Sequence, residues 1–247
     1  MAVYAHDKIV PDQKSVVAKK KQVAEMFDSI AGSYDFLNRF LSAGIDKSWR
    51  KKAIRELKSV HPKLILDVAT GTGDLAIIAC KILKPEKISG IDISEGMLDR
   101  GRKKIEILKL GDKIELLHGD SETINFDNSS FDAITVAFGV RNFENLEKGL
   151  AEMLRVLKPG GKISILECTT PRMFLLKGFY NFYMRTVAPG FGKLFARNKQ
   201  AYDYLNKSVQ AFPDRENFIK IMDKAGFIQT YYKSLSWGIC CIYCGSK

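Results

Sequence analysis

The sequence predicts an α/β protein built on a mostly parallel sheet with helices on both faces, preceded by a helical segment. Three observations carry that prediction. Between Lys63 and about Glu167, short apolar runs alternate with amphipathic stretches of helical length, the pattern of strand–helix–strand units with right-handed crossovers. The first apolar run passes into a glycine-bearing turn that opens a helix, where a ligand can approach the backbone closely. The chain of 247 residues, 46% hydrophobic and 27% charged, has room for one large core and excludes a disordered, collagenous or coiled-coil protein.

Residues 1–60 read as an N-terminal helical segment packing on the core. Lys14–Ile30 carries apolar residues at helical spacing, and Lys47–Lys58 sets six basic residues against one acid. On that second helix Lys47, Lys51 and Arg55 share one side, while Trp49, Ala53 and Leu57 share another that should meet a core. His61-Pro62 ends it, because the residue before a proline is pushed out of the α region.

Residues 61–247 read as the main domain. Strands are expected at Leu64–Val68, Ile88–Ile93, Ile114–Leu117, Ala133–Phe138 and Lys162–Leu166, with helices at Asp74–Leu83, Glu95–Leu110 and Leu146–Leu157. Gly160-Gly161, after Lys158-Pro159, reads as a helix stop and a turn before the next strand. Residues 170–213 break the rhythm. Nine aromatic and five basic residues against one acid fall between positions 174 and 204, which suits an inserted cap that walls a site or packs its own rings. Arg215–Ala225 then reads as a helix closed by Gly226, followed by a strand pair at Ile228–Lys233 and Ile239–Tyr243.

The net charge of +11 favours an anionic partner, either nucleic acid or an acidic bilayer surface. No apolar run is long enough to span a membrane, and the N-terminal stretch lacks the apolar core of a secretory signal. Five cysteines, an odd count, suit a reducing, cytoplasmic setting. Cys241 and Cys244 have C-x-x-C spacing but would point to opposite faces of a strand, and His6, His61 and His118 are scattered, so no metal site is expected.

The richest signal is LILDVATGTGDLA, residues 64–76. Gly71, Gly73 and Ala76 fit the dinucleotide pattern G-x-G-x-x-G/A, and the acidic Asp92 follows at a strand end, where it could hold ribose hydroxyls. Charge argues against a dinucleotide. Asp67 near the strand end and Asp74 beside the helix start flank the place where a pyrophosphate would lie and would repel it. S-adenosylmethionine, with an ammonium, a sulfonium and no phosphate, fits instead. Its ribose would meet Asp92, and Asp120-Ser121 past the third strand would meet the adenine amino group. Asp74 alone could merely complement the helix dipole. Asp67, the turn glycines, Asp92 and Asp120 together point to a methyltransferase-type nucleotide site.

With these residues in view, the chain closely resembles the menaquinone/ubiquinone biosynthesis C-methyltransferases from about Val23 onward. The matching segments are Met26–Ala31, Tyr34–Asn38, Leu41-Ser42 with Trp49, Ala137–Phe143 (AFGVRNF), Arg155–Gly161 with Glu167, Tyr202–Leu205 and Ala211–Pro213. FGVRN and YDFLN are the specific ones, whereas KPGG is widespread among methyltransferases. The chain departs from the family at Asp46, where many members have His, at Ala137, where some have Ser, and at Thr169, often Ser. The resemblance implies a Rossmann-like class I methyltransferase fold, a seven-stranded sheet with one antiparallel strand. It also implies methyl transfer from S-adenosylmethionine to a ring carbon of demethylmenaquinol, or of the related polyprenyl benzoquinol. By motif, Thr72, Asp92, Asp120 and Ser121 would contact the cofactor.

Ring methylation requires the electron-rich hydroquinone, and ionising a phenol of pKa about 10 makes the neighbouring carbon nucleophilic. Arg141 and Asn142 follow the fourth strand, on the side where open α/β sheets bind ligands. Arg141 is expected to stabilise the quinolate and Asn142 to orient a hydroxyl, unless Asn142 only caps the next helix. Tyr34, or a water held by Asp35, would accept or relay the proton, with Tyr34 ranked first. The aromatic and basic segments suit peripheral contact with lipid at the inner membrane face, since the substrate carries a polyprenyl tail. An RNA methyltransferase using Cys168 is the competing enzyme, and no appended RNA-binding module supports it. Nucleic acid is not expected as a partner; oligomeric state is not legible, a homodimer being one option.

Overall fold

A computed structural model describes residues 4–171 and 199–247. Most of the expected aromatic cap, residues 172–198, lies outside the described residues. The sheet has seven strands: β1 Leu64–Val68, β2 Lys87–Asp92, β3 Ile114–His118, β4 Phe131–Ala137, β5 Leu157–Cys168, β6 Ile228–Leu235 and β7 Cys240–Ser246. Their order is β3-β2-β1-β4-β5-β7-β6. β1 to β5 pair in parallel, and β7 runs antiparallel between β5 and β6.

Eight helices accompany it among the described residues: α1 Lys19–Ile30, α2 Tyr34–Leu41, α3 Asp46–Arg55, α4 Asp74–Leu83, α5 Glu95–Ile107, α6 Leu146–Val156, α7 Lys199–Ala211 and α8 Glu216–Lys224. β1 is apolar on both faces because both are covered. Leu66 and Val68 join the core with Leu150 and Met153 of α6 and Phe218 of α8, while Ile65 faces the opposite core with Ala76 of α4 and Leu98 of α5. A third cluster sets Trp49 and Ala53 of α3 against Leu166, Cys240, Ile242 and Cys244. The cysteines are packing residues: Cys241 serves the first core and Cys244 the third. No helix among the described residues is long and apolar enough to cross a membrane.

Several boundaries differ from the sequence reading by one to five residues, and three of them have a visible cause. α1 starts at Lys19 rather than Lys14, because the buried Gln22 side chain holds the preceding chain in an irregular path, accepting from Asp12 N at 2.8 Å and donating to Val17 O at 2.6 Å. α3 ends at Arg55, before a 3-10 turn at Lys58–Val60, and His61 adopts φ 43° ahead of Pro62. The Lys158–Gly161 turn lies inside β5 instead of before it. Leu157 already pairs with Phe131, and pairing resumes at Lys162 with Ala133.

Three polar residues, Asp28, Asp35 and Lys20, fasten the N-terminal helices to the strand-end loops. Asp28 of α1 accepts from Ser94 Oγ at 2.6 Å and Gly96 N at 2.9 Å, at the start of α5. Asp35 of α2 accepts from Thr72 Oγ1 at 2.6 Å and Lys104 Nζ at 2.7 Å. Lys20 of α1 lies 2.5 Å from Asp120 and 3.3 Å from Glu122. Each contact grips the loop after a different strand, β1, β2 or β3.

α5 packs unusually close to β3 and the first loop. A Cβ placed on Gly101 would come 2.4 Å from Leu116 Cδ1 and 3.1 Å from the Thr72 carbonyl carbon. Alanine normally favours a helix over glycine by about 1 kcal/mol. Here the clash reverses the sign: Gly101→Ala should destabilise the protein by about 1–3 kcal/mol in urea unfolding, and a neutral or stabilising result would contradict this packing.

Candidate active site

Three adjoining cavities open at the carboxyl ends of the strands, where β1 and β4 meet and the strand order reverses. The first, about 640 Å³, is lined by Gly71, Asp92, Asp120, Ser121 and Asn142 among others. The second, about 1120 Å³ and largely apolar, lies between α1, α2, α7 and the ends of β4 and β5, with Arg141, Asp46, Trp49 and Tyr204 on its walls. The third, about 320 Å³, is lined by Asp67, Gly71, Thr72, Asp74 and Arg50. Tyr34 lines all three, and Phe27 and Phe138 separate the first from the second.

The glycine loop is held open by its backbone. Gly71 has φ 55°, and a Cβ there would sit 3.3 Å from Met97 Cε, so a side chain would meet both strain and crowding. Its N–H donates to Asp92 Oδ2 at 2.8 Å, and Ser94 N donates to Asp92 Oδ1 at 2.9 Å. Burial raises the pKa of Asp92 against these amides. Gly73, with φ 76°, caps α4 and lines none of the three cavities.

The two acids singled out beside the loop differ in character. Asp67 is buried and accepts from Thr70 Oγ1 and Thr135 Oγ1, both at 2.6 Å. Burial pushes its pKa up to about 6 despite those hydroxyls. Asp74 instead pairs with Lys104 at 2.6 Å, a lysine 30 residues further along that no spacing rule would have selected. Of these acids only Asp67 and Asp92 have no lysine or arginine ion pair among the described residues, while Asp120, like Asp74, holds a lysine. Carboxylates at three strand ends around an unencumbered glycine turn fit a cationic, phosphate-free nucleoside such as S-adenosylmethionine. Asp120 is itself engaged by Lys20, whose ammonium is stabilised against its own burial by that carboxylate.

On the second cavity, Arg141 sits in a 3-10 turn, Val140–Asn142, just after β4. Its Nη1 donates to Glu167 Oε1 at 2.5 Å and to Phe138 O at 2.7 Å, and both charged side chains are buried. Burial opposes the Arg141 charge, but Glu167 outweighs it and raises the pKa further. Arg141 Nε is buried with no hydrogen-bond partner among the described residues. Asn142 is not the cap of α6. Asn145 is, accepting from Lys148 N at 2.9 Å, while Asn142 donates to Phe138 O at 3.3 Å and accepts from Tyr204 Oη at 3.1 Å.

Tyr34 keeps its proton at neutral pH, because burial raises its pKa even though Asn38, Arg50 and Arg141 pull the other way. Asp35 points elsewhere, into Lys104 and Thr72, and lines none of the three cavities. Cys168 borders the second cavity, and burial pushes its thiol up to about 12, which disfavours the thiolate that a nucleophile needs. Sequence reasoning missed the buried Asp46–Arg50 pair, in which Asp46 also accepts from Ser42 Oγ at 2.9 Å and Arg50 stacks over Phe138 at 5.1 Å. An i,i+4 acid–base spacing was visible there, but nothing marked it as buried. No cluster of metal-ligating side chains occurs among the described residues.

The seven-stranded order with one antiparallel strand, and a nucleoside-sized cavity over the first two strand ends, define a class I S-adenosylmethionine-dependent methyltransferase fold. Solved structures agree. The chain matches a methyltransferase of that class from Thermotoga maritima with TM-score 0.63 and 19% identity, covering 90% of this chain and 99% of the other. A second, from Aquifex aeolicus, matches with TM-score 0.57 and 20% identity over 79% and 88% of the two chains. Residues 15–247 match the ubiE/COQ5 methyltransferase family, and the chain belongs to that family. It is 48% identical to the demethylmenaquinone methyltransferase of Bacteroides fragilis over 99% of each chain. It is 45% identical to a ubiquinone/menaquinone biosynthesis C-methyltransferase of Geotalea daltonii, over 93% of this chain and 97% of the other.

Asp67 gives a pH signature. Its folded pKa of about 6 lies above the ordinary 3.8, so the folded state retains a proton that the unfolded chain has lost. The resulting stability is full below the unfolded value and lost as pH rises through 6, by on the order of 3 kcal/mol. Urea titrations between pH 4 and 7 should show a smaller decline in Asp67→Asn than in the parent; equal slopes would contradict the shift.

Proposed function

We propose that this enzyme transfers a methyl group from S-adenosylmethionine to a ring carbon of demethylmenaquinol, with the quinol ring in the second cavity and its tail leaving along the apolar walls. The observation that carries the reading is the buried Arg141, whose side chain lines an apolar cavity that meets the nucleoside cavity at Tyr34, Phe27 and Phe138 and whose Nε has no hydrogen-bond partner among the described residues. The similarity to demethylmenaquinone methyltransferases supports the substrate class. The likeness to a ubiquinone/menaquinone enzyme supports a second substrate, the polyprenyl benzoquinol.

In this reading Asp67, Gly71, Thr72, Gly73, Asp92, Asp120 and Ser121 form the cofactor-binding set, with Gly73 acting through the shape of the turn. S-adenosylmethionine supplies an electrophilic methyl on a sulfonium, and the residues supply orientation. Arg141 lowers the energy of the quinolate, held rigid by Glu167 so that it does not reorient as charge develops. Asn142, fixed between Phe138 O and Tyr204 Oη, orients a hydroxyl through its remaining N–H. Tyr34, protonated at rest, relays a proton rather than storing one. Residues 1–60 complete the cavities instead of forming a separate unit, 61–247 form the methyltransferase domain, and within 170–213 the described helix α7 walls the second cavity through Ala201, Tyr204, Leu205 and Val209. The enzyme works at the cytoplasmic face of the membrane, where the tailed substrate resides.

Purified protein with methyl-labelled S-adenosylmethionine and short-tailed demethylmenaquinone should label the quinone only when dithionite is present. Label without reductant, or none with it, would reject the hydroquinone reaction, and the benzoquinol in parallel sets the substrate range. Arg141→Lys should lower kcat by about 10²-fold or more while cofactor binding persists. Full turnover in that variant would remove its electrostatic role. Tyr34→Phe should lower kcat and leave Kd for the demethylated cofactor product within about twofold, since the lost group is the hydroxyl alone.

A further inference from the structure

Seven large hydrophobic residues are notably exposed among the described residues, and three of them are chain neighbours of the second cavity's lining. Phe36, 57% exposed, precedes the lining residue Leu37; Ile45, 46% exposed, precedes Asp46; and Trp237, 74% exposed, lies two residues before Ile239. Helix α3, which Ile45 precedes, is tied to the turn that carries Trp237, because Trp49 Nε1 donates to Ser236 Oγ at 2.9 Å. Trp237 is held out in a left-handed conformation, φ 55°, in the 3-10 turn Ser236–Gly238.

Charge on the same elements is one-sided. Between Phe36 and Lys58 there are seven basic residues and two acids. Arg39, Lys47, Lys51, Lys52, Arg55 and Lys58 are all exposed. Both acids are engaged, Asp46 with the buried Arg50 and Glu56 with Lys233. Exposed aromatic and aliphatic side chains beside a cationic stripe complement the surface of an anionic bilayer: the apolar groups enter the headgroup boundary while lysines meet lipid phosphates. A partner protein of acidic surface would match the charge but gives no reason for exposed apolar residues to stand within two positions, in the chain, of residues that line an apolar cavity.

We propose that the α2–α3 turn, the outer side of α3 and the Ser236–Gly238 turn form a docking face for anionic phospholipid bilayers. Phe36, Ile45 and Trp237 insert there, so that a membrane-borne substrate enters the second cavity without crossing water. The directional part of this inference rests on the quinol reading, but the docking itself does not.

The test uses the full chain and vesicles of phosphatidylcholine with or without phosphatidylglycerol. Trp49 is buried, which leaves Trp237 as the responsive member of the two tryptophans. Anionic vesicles should quench its fluorescence when the acyl chains are brominated, and neutral vesicles should do so weakly. The double variant Lys47→Ala/Lys51→Ala should lose about tenfold or more in vesicle affinity, as expected for two lysines near an anionic surface. Ile45→Ser with Trp237→Asn, asparagine being tolerant of the left-handed conformation, should lose a similar factor. All of these should keep turnover on a short-tailed, soluble quinol, which also shows that they fold. Unquenched Trp237 on vesicles that still capture the protein, equal affinity for neutral vesicles, or unchanged affinity in both variants would each overturn the proposal. Quenching without methyl transfer to any quinol would leave the docking face standing and reject the quinol reading instead.

Discussion

Burying a guanidinium is costly unless a carboxylate and further hydrogen bonds compensate it, and the geometry around Arg141 follows from that requirement. Glu167 at the end of β5 supplies the counter-charge, and Phe138 O a second acceptor. Both come into reach because β4 and β5 run in register, Ala137 beside Leu166. The pair then anchors the turn carrying Asn142, which in turn receives Tyr204 from α7. Removing Glu167 would strand a buried charge, so this pair constrains sheet register, turn conformation and cavity wall together.

The N-terminal helices stand in a comparable relation to the cofactor loops. Asp28, Asp35 and Lys20 each bridge to a loop after a different parallel strand, and the same helices contribute Phe27, Tyr34 and Leu37 to the cavities. Core and accessory segment thus share their polar contacts at the loops whose shape determines binding. Lys20 lies closer to Asp120 than to Glu122, so a ligand group donating to Asp120 has an acceptor already at hand for the displaced ammonium.

Much of this architecture was legible in the chain. The runs Leu64–Val68 and Asp74–Leu83 have the same bounds in the structure as their periodicity indicated, because a doubly buried strand and a strongly punctuated helix leave little ambiguity. The positions of Asp92 at the end of one strand and of Arg141 and Asn142 after another followed from the same pattern. Hidden from it were pairings between residues distant in sequence: Lys104 with Asp74 and Asp35, Lys20 with Asp120, Glu167 with Arg141. Periodicity reports which face of an element is buried, and it cannot report which charged residue of another element arrives there. The KPGG turn was visible as a turn, but its absorption into β5 depends on the backbone of β4.

The order of the sheet sets one strand apart. β7 follows β6 in the chain yet lies inside it, paired with β5 on one side and β6 on the other. β7 is also the last strand in the chain. The pairings among the five parallel strands, whose ends carry the nucleoside-binding loops, do not involve β7. Only with β7 beside β5 do Cys240 and Ile242 reach Trp49 and Ala53 and close the third core cluster. A chain without β7 in place would leave β5 with an unpaired edge and Trp49 without its sheet partners, so the last strand both seals the sheet and backs the apolar cavity.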